Sequence, residues 1–137
     1  MCNYCDYDPA APIPCLRDGE PRICHPKDIP AVRDEFFRNR GDGTFTREAV
    51  ERGLVGSQNR GLGVVTVNFD NDGDTDLYVA NDTTANFLFE NDGSGHFVEV
   101  GSLLGCAVDR NGSTQASMGL TCGDSDVELN QELTERM

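Results

Sequence analysis

Residues 61–82 have the sequence GLGVVTVNFDNDGDTDLYVAND, in which two short apolar runs flank a segment rich in Asp, Asn and Gly. The runs, residues 63–67 and 77–80, are rich in β-branched and aromatic residues, and such runs bounded by turn residues predict β-strands. The segment between them consists of residues that are common in turns. The stretch therefore predicts an antiparallel hairpin with an acidic turn.

Similar short runs, separated by Asn, Asp and Gly clusters, occur on both sides of this hairpin. That pattern is typical of an all-β chain. The further predicted strands are residues 36–38, 44–46, 87–89, 96–100 and 118–122.

An internal repeat organises these strands. Residues 37–45 (FRNRGDGTF) return as residues 89–97 (FENDGSGHF) at an offset of 52, and Gly53 returns as Gly105. After a shift of four residues, the stretch 63–72 returns as 119–128. A period of 52 to 56 residues with about four strands per unit predicts the blades of a β-propeller.

The predicted fold is therefore all-β, a partial β-propeller of about one and a half to two blades after an irregular segment. Residues 36–47 are predicted to be the last hairpin of one blade, 63–100 a complete blade and 117–126 the first strand of a third. A propeller closes with about four to eight blades, so a longer chain or partner chains are expected to supply the rest. The predicted divisions are a Cys- and Pro-rich segment at 1–34, propeller repeats at 35–126 and an acidic tail at 127–137.

The composition limits the classes of partner. The 137 residues include 11 Lys and Arg against 24 Asp and Glu, a net charge of −13. Binding to a nucleic-acid backbone depends on cationic side chains, so this class is disfavoured. The sequence has no apolar stretch long enough to cross a membrane. Its N-terminus lacks the basic start and apolar run of a secretory signal, which leads us to expect a protein that is not exported or an internal piece of a longer one.

The turn at residues 68–76 has the composition of a calcium site. Oxygen-bearing side chains alternate along it, and Gly73 allows the sharp bend that wrapping an ion requires. An EF-hand is excluded, because its twelfth position falls on Val79 and both flanks are strands. A metal-free acidic turn is the alternative. The predicted ligands are the side chains of Asn68, Asp70, Asp72 and Asp76, together with the backbone carbonyl of Asp74.

Residues 61–82 resemble the FG-GAP/VCBS repeats of integrin-α-type β-propellers. With residues 37–45 and with 115–119 (QASMG), they resemble the bacterial ASPIC/UnbV relatives of cartilage acidic protein. The resemblance implies a calcium-binding propeller that is secreted, periplasmic or at the cell surface. Its partner would be a protein or a glycan in adhesion or matrix contacts, and it would have no established catalytic activity.

The chain departs from the pattern of this family in three places. Asn68 stands where the family usually has Asp, which weakens the first ligand. The second copy of the loop, with Asp124, Asp126 and Glu128, has Leu129 where it needs Gly, which weakens a second calcium site. Residues 127–137 continue as a helix-favouring acidic tail instead of a second strand, and no ASPIC/UnbV region follows.

The cysteines leave several alternatives open. Cys2, Cys5, Cys15 and Cys24 could form disulfides, bind zinc or remain free thiols. An exported chain would form up to three disulfides from its six cysteines. A bond between Cys106 and Cys122 would require their strands to be neighbours.

Two functional alternatives are weighed against an adhesion module. One is an enzyme, such as a polysaccharide lyase or hydrolase built on a similar propeller. The other is a zinc or thiol module at residues 2–25. The tripeptide Arg40-Gly41-Asp42 spells an integrin-recognition motif, but the second copy has Asp-Gly-Ser there, so we interpret it as a hairpin turn.

Overall fold

The computed structural model describes residues 1–56, 59–124 and 131–135, with Asp124 and residues 131–135 described by their backbone only. Regular structure in this part of the chain is almost entirely β. One 3-10 turn spans Pro26–Asp28, and one short helix, α1, spans Gly101–Leu104. The strands are β1 Leu16–Arg17, β2 Glu20–Pro21, β3 Phe37–Asn39, β4 Phe45–Arg47, β5 Gly61–Val67, β6 Asp76–Asn81, β7 Phe87–Asn91, β8 Phe97–Glu99, β9 Leu120–Asp124 and β10 Gln131–Glu135.

Strands β5 to β8 form a four-stranded antiparallel sheet in sequence order. Each strand is joined to the next by a short connection, because antiparallel neighbours need no crossover. The prediction of one complete blade at residues 63–100 is confirmed. In this blade, strands one to four are β5, β6, β7 and β8.

Half-blades lie on either side of the complete blade in the chain. β3 and β4 form a hairpin whose register matches that of β7 and β8, and β9 pairs with β10 as β5 pairs with β6. Each strand predicted from the sequence is present, with its bounds shifted by a few residues at most. The fold is a partial β-propeller.

The repeat extends to individual hydrogen bonds. Glu48 N–H donates to the Phe36 carbonyl at 3.0 Å, and at the equivalent place in the second copy Val100 N–H donates to the Leu88 carbonyl at 2.8 Å. The same offset relates the bond from Leu54 N–H to Ala49 to the bond from Cys106 N–H to Gly101. The two copies therefore share backbone conformation as well as sequence.

The complete blade contributes to a small apolar core on each of its faces. On one face Tyr78, Leu88 and Val100 are buried, and Leu120 of β9 packs against them. On the other face Val79, Phe89 and Phe97 are buried, with Leu54 and Cys2 from the preceding half-blade against them. Alternate residues of one strand point to opposite faces, so each blade is stabilised by its neighbours.

Asn81, at the end of β6, joins its own blade to the next one. Its side-chain Nδ2 donates to the Ala85 carbonyl at 2.7 Å, and its N–H donates to Asn86 Oδ1 at 2.8 Å. Its carbonyl accepts the N–H of Ser117, at the entrance to the third blade. The side chain is fully buried.

Asn3 makes the same set of bonds near the N-terminus. Its Nδ2 donates to the Arg33 carbonyl, its N–H to Asp34 Oδ1, and its carbonyl accepts the N–H of Gly61. Asp34 is the repeat counterpart of Asn86, so the two arrangements are copies. Residues 1–4 therefore form the end of strand two in the blade of β3 and β4. Residues 5–32 occupy the place that Thr83 and Thr84 fill in the complete blade, and we call them the insertion.

The expectation of a helix-favouring tail is wrong for residues 131–135, which form β10. The error arose because Gln, Glu and Leu have good helix propensity, whereas pairing along the whole length of β9 determines the conformation here. Glu132 pairs with Gly123, as Asp76 pairs with Val67 one repeat earlier. The third blade therefore contains its first two strands.

Replacing Asn81 with Ala should destabilise the fold by about 2 kcal/mol, because a fully buried side chain is removed and the partly buried Ala85 carbonyl loses its donor. Urea denaturation followed by far-ultraviolet circular dichroism measures this loss. Asn111→Ala, in an exposed turn, is the matched control and should cost less than about 0.5 kcal/mol. Equal effects of the two substitutions would contradict the role assigned to Asn81.

The Tyr4 hydroxyl donates to Asp82 Oδ2, and this bond raises the pKa of Tyr4 from 10 to about 12. Because the folded-state pKa is above the unfolded one, the bond's stabilisation is complete below about pH 10 and is lost as the pH rises through about 12. Ultraviolet titration should show one of the three tyrosines ionising near pH 12. Tyr4→Phe should remove that step, whereas Tyr7→Phe, at an exposed position, should leave it in place.

Candidate functional site

The acidic loop between β5 and β6, residues 68–75, lies at the same end of the sheet as the turn between β7 and β8. The two are in contact, since Asn91 Nδ2 donates to the Thr75 carbonyl at 3.1 Å. Gly73 has a φ of +98°, which a residue with a side chain rarely adopts. The sharp bend predicted at this position is present.

Asp76 anchors the loop to the blade. Its side chain is fully buried, and its two oxygens accept the N–H of Phe69 at 3.1 Å and the N–H of Asn91 at 2.9 Å. Burial raises the pKa of Asp76, and the two N–H donors lower it. The negative charges of Asp70 and Asp72 raise it further. The buried carboxylate of Asp76 therefore lies in the negative field of the acidic loop.

Asp70 and Asp72 are exposed, and their side chains bond to the backbone of the loop. Asp70 Oδ1 accepts the N–H of Asp72 at 3.2 Å, and Asp72 Oδ1 accepts the N–H of Asp74 at 2.8 Å. Such bonds to the backbone two residues on are typical of Asx turns. Each carboxylate has a second oxygen that could bind a cation.

The remaining predicted ligands differ in their positions. Asn68 follows the end of β5 and is half-buried. Asp74 directs its carboxylate toward the neighbouring turn, where Oδ2 lies 2.7 Å from the place that a Cβ on Gly93 would occupy. The ligand role predicted for the Asp74 backbone carbonyl stays a prediction.

The donor set fits calcium in chemical type. Carboxylate, amide and carbonyl oxygens on a flexible loop are what calcium binds, with six to eight ligands in variable geometry. Within the described residues, no three acidic, His or Cys side chains already converge closely enough to hold a metal ion. Binding would therefore require the exposed carboxylates of Asp70 and Asp72 to turn toward Asp76. The predicted second loop falls mostly on residues 125–130, outside the described residues.

The tripeptide at residues 40–42 lies in the β3–β4 turn, as predicted. Asp42 Oδ1 accepts both the N–H and the hydroxyl of Thr44, at 2.9 and 2.6 Å, and these bonds hold its pKa below the usual range. Asp92, at the tip of the β7–β8 turn, makes the same pair of bonds with Ser94. The Asp42 carboxylate is therefore engaged within its own turn.

The insertion lies at the opposite end of the sheet from the acidic loop, because it connects strand two to strand three. Arg60, which is largely buried, donates to the carbonyls of Pro26 and Ile29 at 3.0 and 2.9 Å. Tyr4 attaches the start of the insertion to Asp82. The sequence did not predict that Tyr4, Arg60 and Asp82 attach the insertion. The equivalence of Asn3-Tyr4 and Asn81-Asp82 in the repeat was the signal that could have indicated two of these residues.

A disulfide joins Cys15 to Cys24 within the insertion. The prediction of disulfides is thus correct for this pair, and the zinc alternative that used both residues is wrong. Cys2, Cys5, Cys106 and Cys122 are free thiols, so the bond considered between Cys106 and Cys122 is not formed. Burial raises the pKa of Cys106 and of Cys2, which makes both thiols poor nucleophiles.

No helix among the described residues combines the length and hydropathy that crossing a membrane requires.

Comparison with protein-family models gives one family, described as FG-GAP-like repeat. Its model matches the sequence twice, over residues 31–79 and 68–126. The two matches overlap and together span more than half of the sequence. No curated protein matches it.

Peptide mapping under non-reducing conditions should recover a linked peptide pair containing Cys15 and Cys24. The other four cysteines should be alkylated after unfolding without reductant, with Cys2 and Cys106 protected in the folded protein. Cys15→Ser, which breaks the bond, should raise the count of reactive thiols from four to five. A linkage between any other pair would contradict this assignment.

Proposed function

Because this chain belongs to the FG-GAP-like repeat family, we propose that it is a calcium-stabilised β-propeller module that binds a protein or glycan outside the cell. Its function would be to present a binding surface, and we propose no catalytic activity. The residues of the acidic loop would hold the ion, and the rest of the blade would hold the loop.

The buried carboxylate of Asp76 is the observation that carries the calcium proposal. It already connects the loop to the N–H of Asn91 on β7, so an ion bound to it would be attached to the sheet. Asp70 and Asp72 add negative charge that disfavours the ionised form of Asp76. A divalent cation would convert this repulsion into attraction.

The expected stabilisation is modest. With calcium at about 1 mM and an extracellular-type dissociation constant near 0.1 mM, binding would contribute about 1.4 kcal/mol per site. Magnesium demands near-octahedral geometry and gives up its water reluctantly, so it should bind this loop less well. Selective stiffening by calcium would keep the turns at this end of the blade in place.

The disulfide Cys15–Cys24 supports the extracellular assignment, because disulfides persist mainly in oxidising compartments. We propose a secreted, periplasmic or cell-surface location on this ground. The motifs at residues 37–45 and 115–119 support a closer relation to bacterial ASPIC/UnbV proteins. We also propose that further blades, from a longer chain or from partner chains, complete the propeller.

Asp72→Ala should lower the melting temperature in millimolar calcium and have little effect in EDTA, because the variant loses a ligand but no core contact. Thermal melts followed by circular dichroism in EDTA, magnesium and calcium measure this difference. The wild-type chain should be stabilised by calcium more than by magnesium.

Glu51→Gln removes one negative charge at an exposed position outside the loop and serves as the control. It should keep the full response to calcium. Equal loss of stability in Asp72→Ala with and without calcium would contradict the assignment of Asp72 as a ligand.

A further inference from the structure

Asn91, the last residue of β7, is bonded to both sides of the junction between β6 and the β7–β8 turn. Its N–H donates to Asp76 Oδ1 at 2.9 Å, and its Nδ2 donates to the Thr75 carbonyl at 3.1 Å. Its Oδ1 accepts the N–H groups of Gly93 and Gly95, at 3.2 and 3.1 Å. One residue therefore holds the end of the acidic loop and folds the neighbouring turn.

The β7–β8 turn is also in close contact with two charged side chains. A Cβ placed on Gly93 would lie 2.7 Å from Asp74 Oδ2, and a Cβ placed on Gly95 would lie 2.5 Å from Arg52 Nη1. Arg52 donates to the Gly95 carbonyl at 2.8 Å and forms an ion pair with Glu48, which follows β4. The turn therefore touches both the acidic loop and the segment that follows β4.

The turn between β3 and β4 has the same backbone conformation and provides an internal comparison. Asn39 Oδ1 accepts the N–H of Gly41 at 2.8 Å, as Asn91 Oδ1 accepts the N–H of Gly93. The φ of Gly41 is +84° and that of Gly93 is +79°. Among the described residues, however, a Cβ on Gly41 would meet no atom within 4 Å. The two turns thus differ in what they contact and not in how they fold.

We propose that Asn91 is the positioning residue of the calcium site and that it couples the β7–β8 turn to binding of the ion. The inference rests on the calcium function proposed above. Asp76 keeps lone pairs for a cation after accepting two N–H groups, because a carboxylate has about four acceptor sites. Asn91 fixes Asp76 and the carbonyl of Thr75, so this end of the loop is held in place before an ion binds. Groups that orient the ligands of a metal in this way raise its affinity.

Thermodynamic linkage makes the coupling reciprocal. Bonds that favour binding of the ion are themselves favoured, to the same extent, when the ion is bound. The two N–H groups that donate to Asn91 Oδ1, those of Gly93 and Gly95, should therefore open less often in calcium. The turn would then be ordered by an ion that it does not touch.

Isothermal titration calorimetry of the full chain with calcium chloride tests the positioning role. Asn91→Ala should weaken calcium binding about tenfold or more, because removal of a side chain that orients a ligand typically has an effect of this size. Asn39→Ala removes the equivalent turn bond in the first copy and should bind calcium as the wild type does. The dissociation constant is measured on folded protein, so a loss of stability alone would leave it unchanged.

Gly93→Ala tests the same coupling while keeping the Asn91 side chain, and it decides the matter where Asn91→Ala does not fold. The new Cβ would displace the Asp74 carboxylate and with it the acidic loop. Gly41→Ala is the matched control, because it places a side chain at the same left-handed φ and should lose similar stability. Only Gly93→Ala should weaken calcium binding several-fold. Equal affinities in these two variants would overturn the coupling.

Hydrogen exchange followed by nuclear magnetic resonance measures the reciprocal effect. Saturating calcium should slow exchange of the Gly93 and Gly95 N–H groups by up to about tenfold. The N–H of Gly41, which makes the equivalent bond in the other turn, should exchange at the same rate with and without calcium. Exchange at Gly93 and Gly95 that does not respond to calcium would overturn the coupling.

The titration also separates this inference from the function on which it rests. A folded wild-type chain that does not bind calcium would overturn both. Calcium binding of equal affinity in the wild type, Asn91→Ala and Asn39→Ala would overturn the positioning role and leave the calcium module standing.

Discussion

The hydrogen bonds of the asparagine at the end of strand two are the constraint on which the rest of the structure depends. Asn81 closes the connection to β7 with its side chain and holds the entrance to the next blade with its carbonyl. Asn3 does the same one blade earlier. A single residue thus fixes both the turn within a blade and the spacing between blades. The apolar faces of neighbouring blades can pack because these hydrogen bonds hold the blades at a fixed distance.

The acidic loop depends on the same framework at the other end of the sheet. Asp76 opens β6 and bonds to Asn91, while Asn81 ends β6 and bonds to Asn86. Strand β6 is therefore fixed to β7 at both ends by polar side chains, with Tyr78 and Val79 buried between them.

Much of the fold could be predicted from the sequence, because strands, turns and the repeat each leave a local pattern. The β-branched run at residues 63–67 and the glycines at fixed offsets are enough to predict the complete blade. Two features could not be predicted in this way. The insertion hides the equivalence of Asn3 and Asn81, since its extra length separates them by more than the repeat period. β10 has a helix-favouring composition, and only its pairing with β9 determines its conformation.

The candidate site was predictable in composition but not in geometry. Alternating acids indicate which side chains could bind calcium, yet only the structure shows that Asp76 is buried while Asp70 and Asp72 are exposed. The antiparallel order also places the acidic loop and the insertion at opposite ends of the strands. Tyr4 and Arg60 attach the insertion through bonds that involve no residue of the acidic loop. Changes in the insertion can therefore alter the surface at one end of the strands while the acidic loop at the other end stays intact.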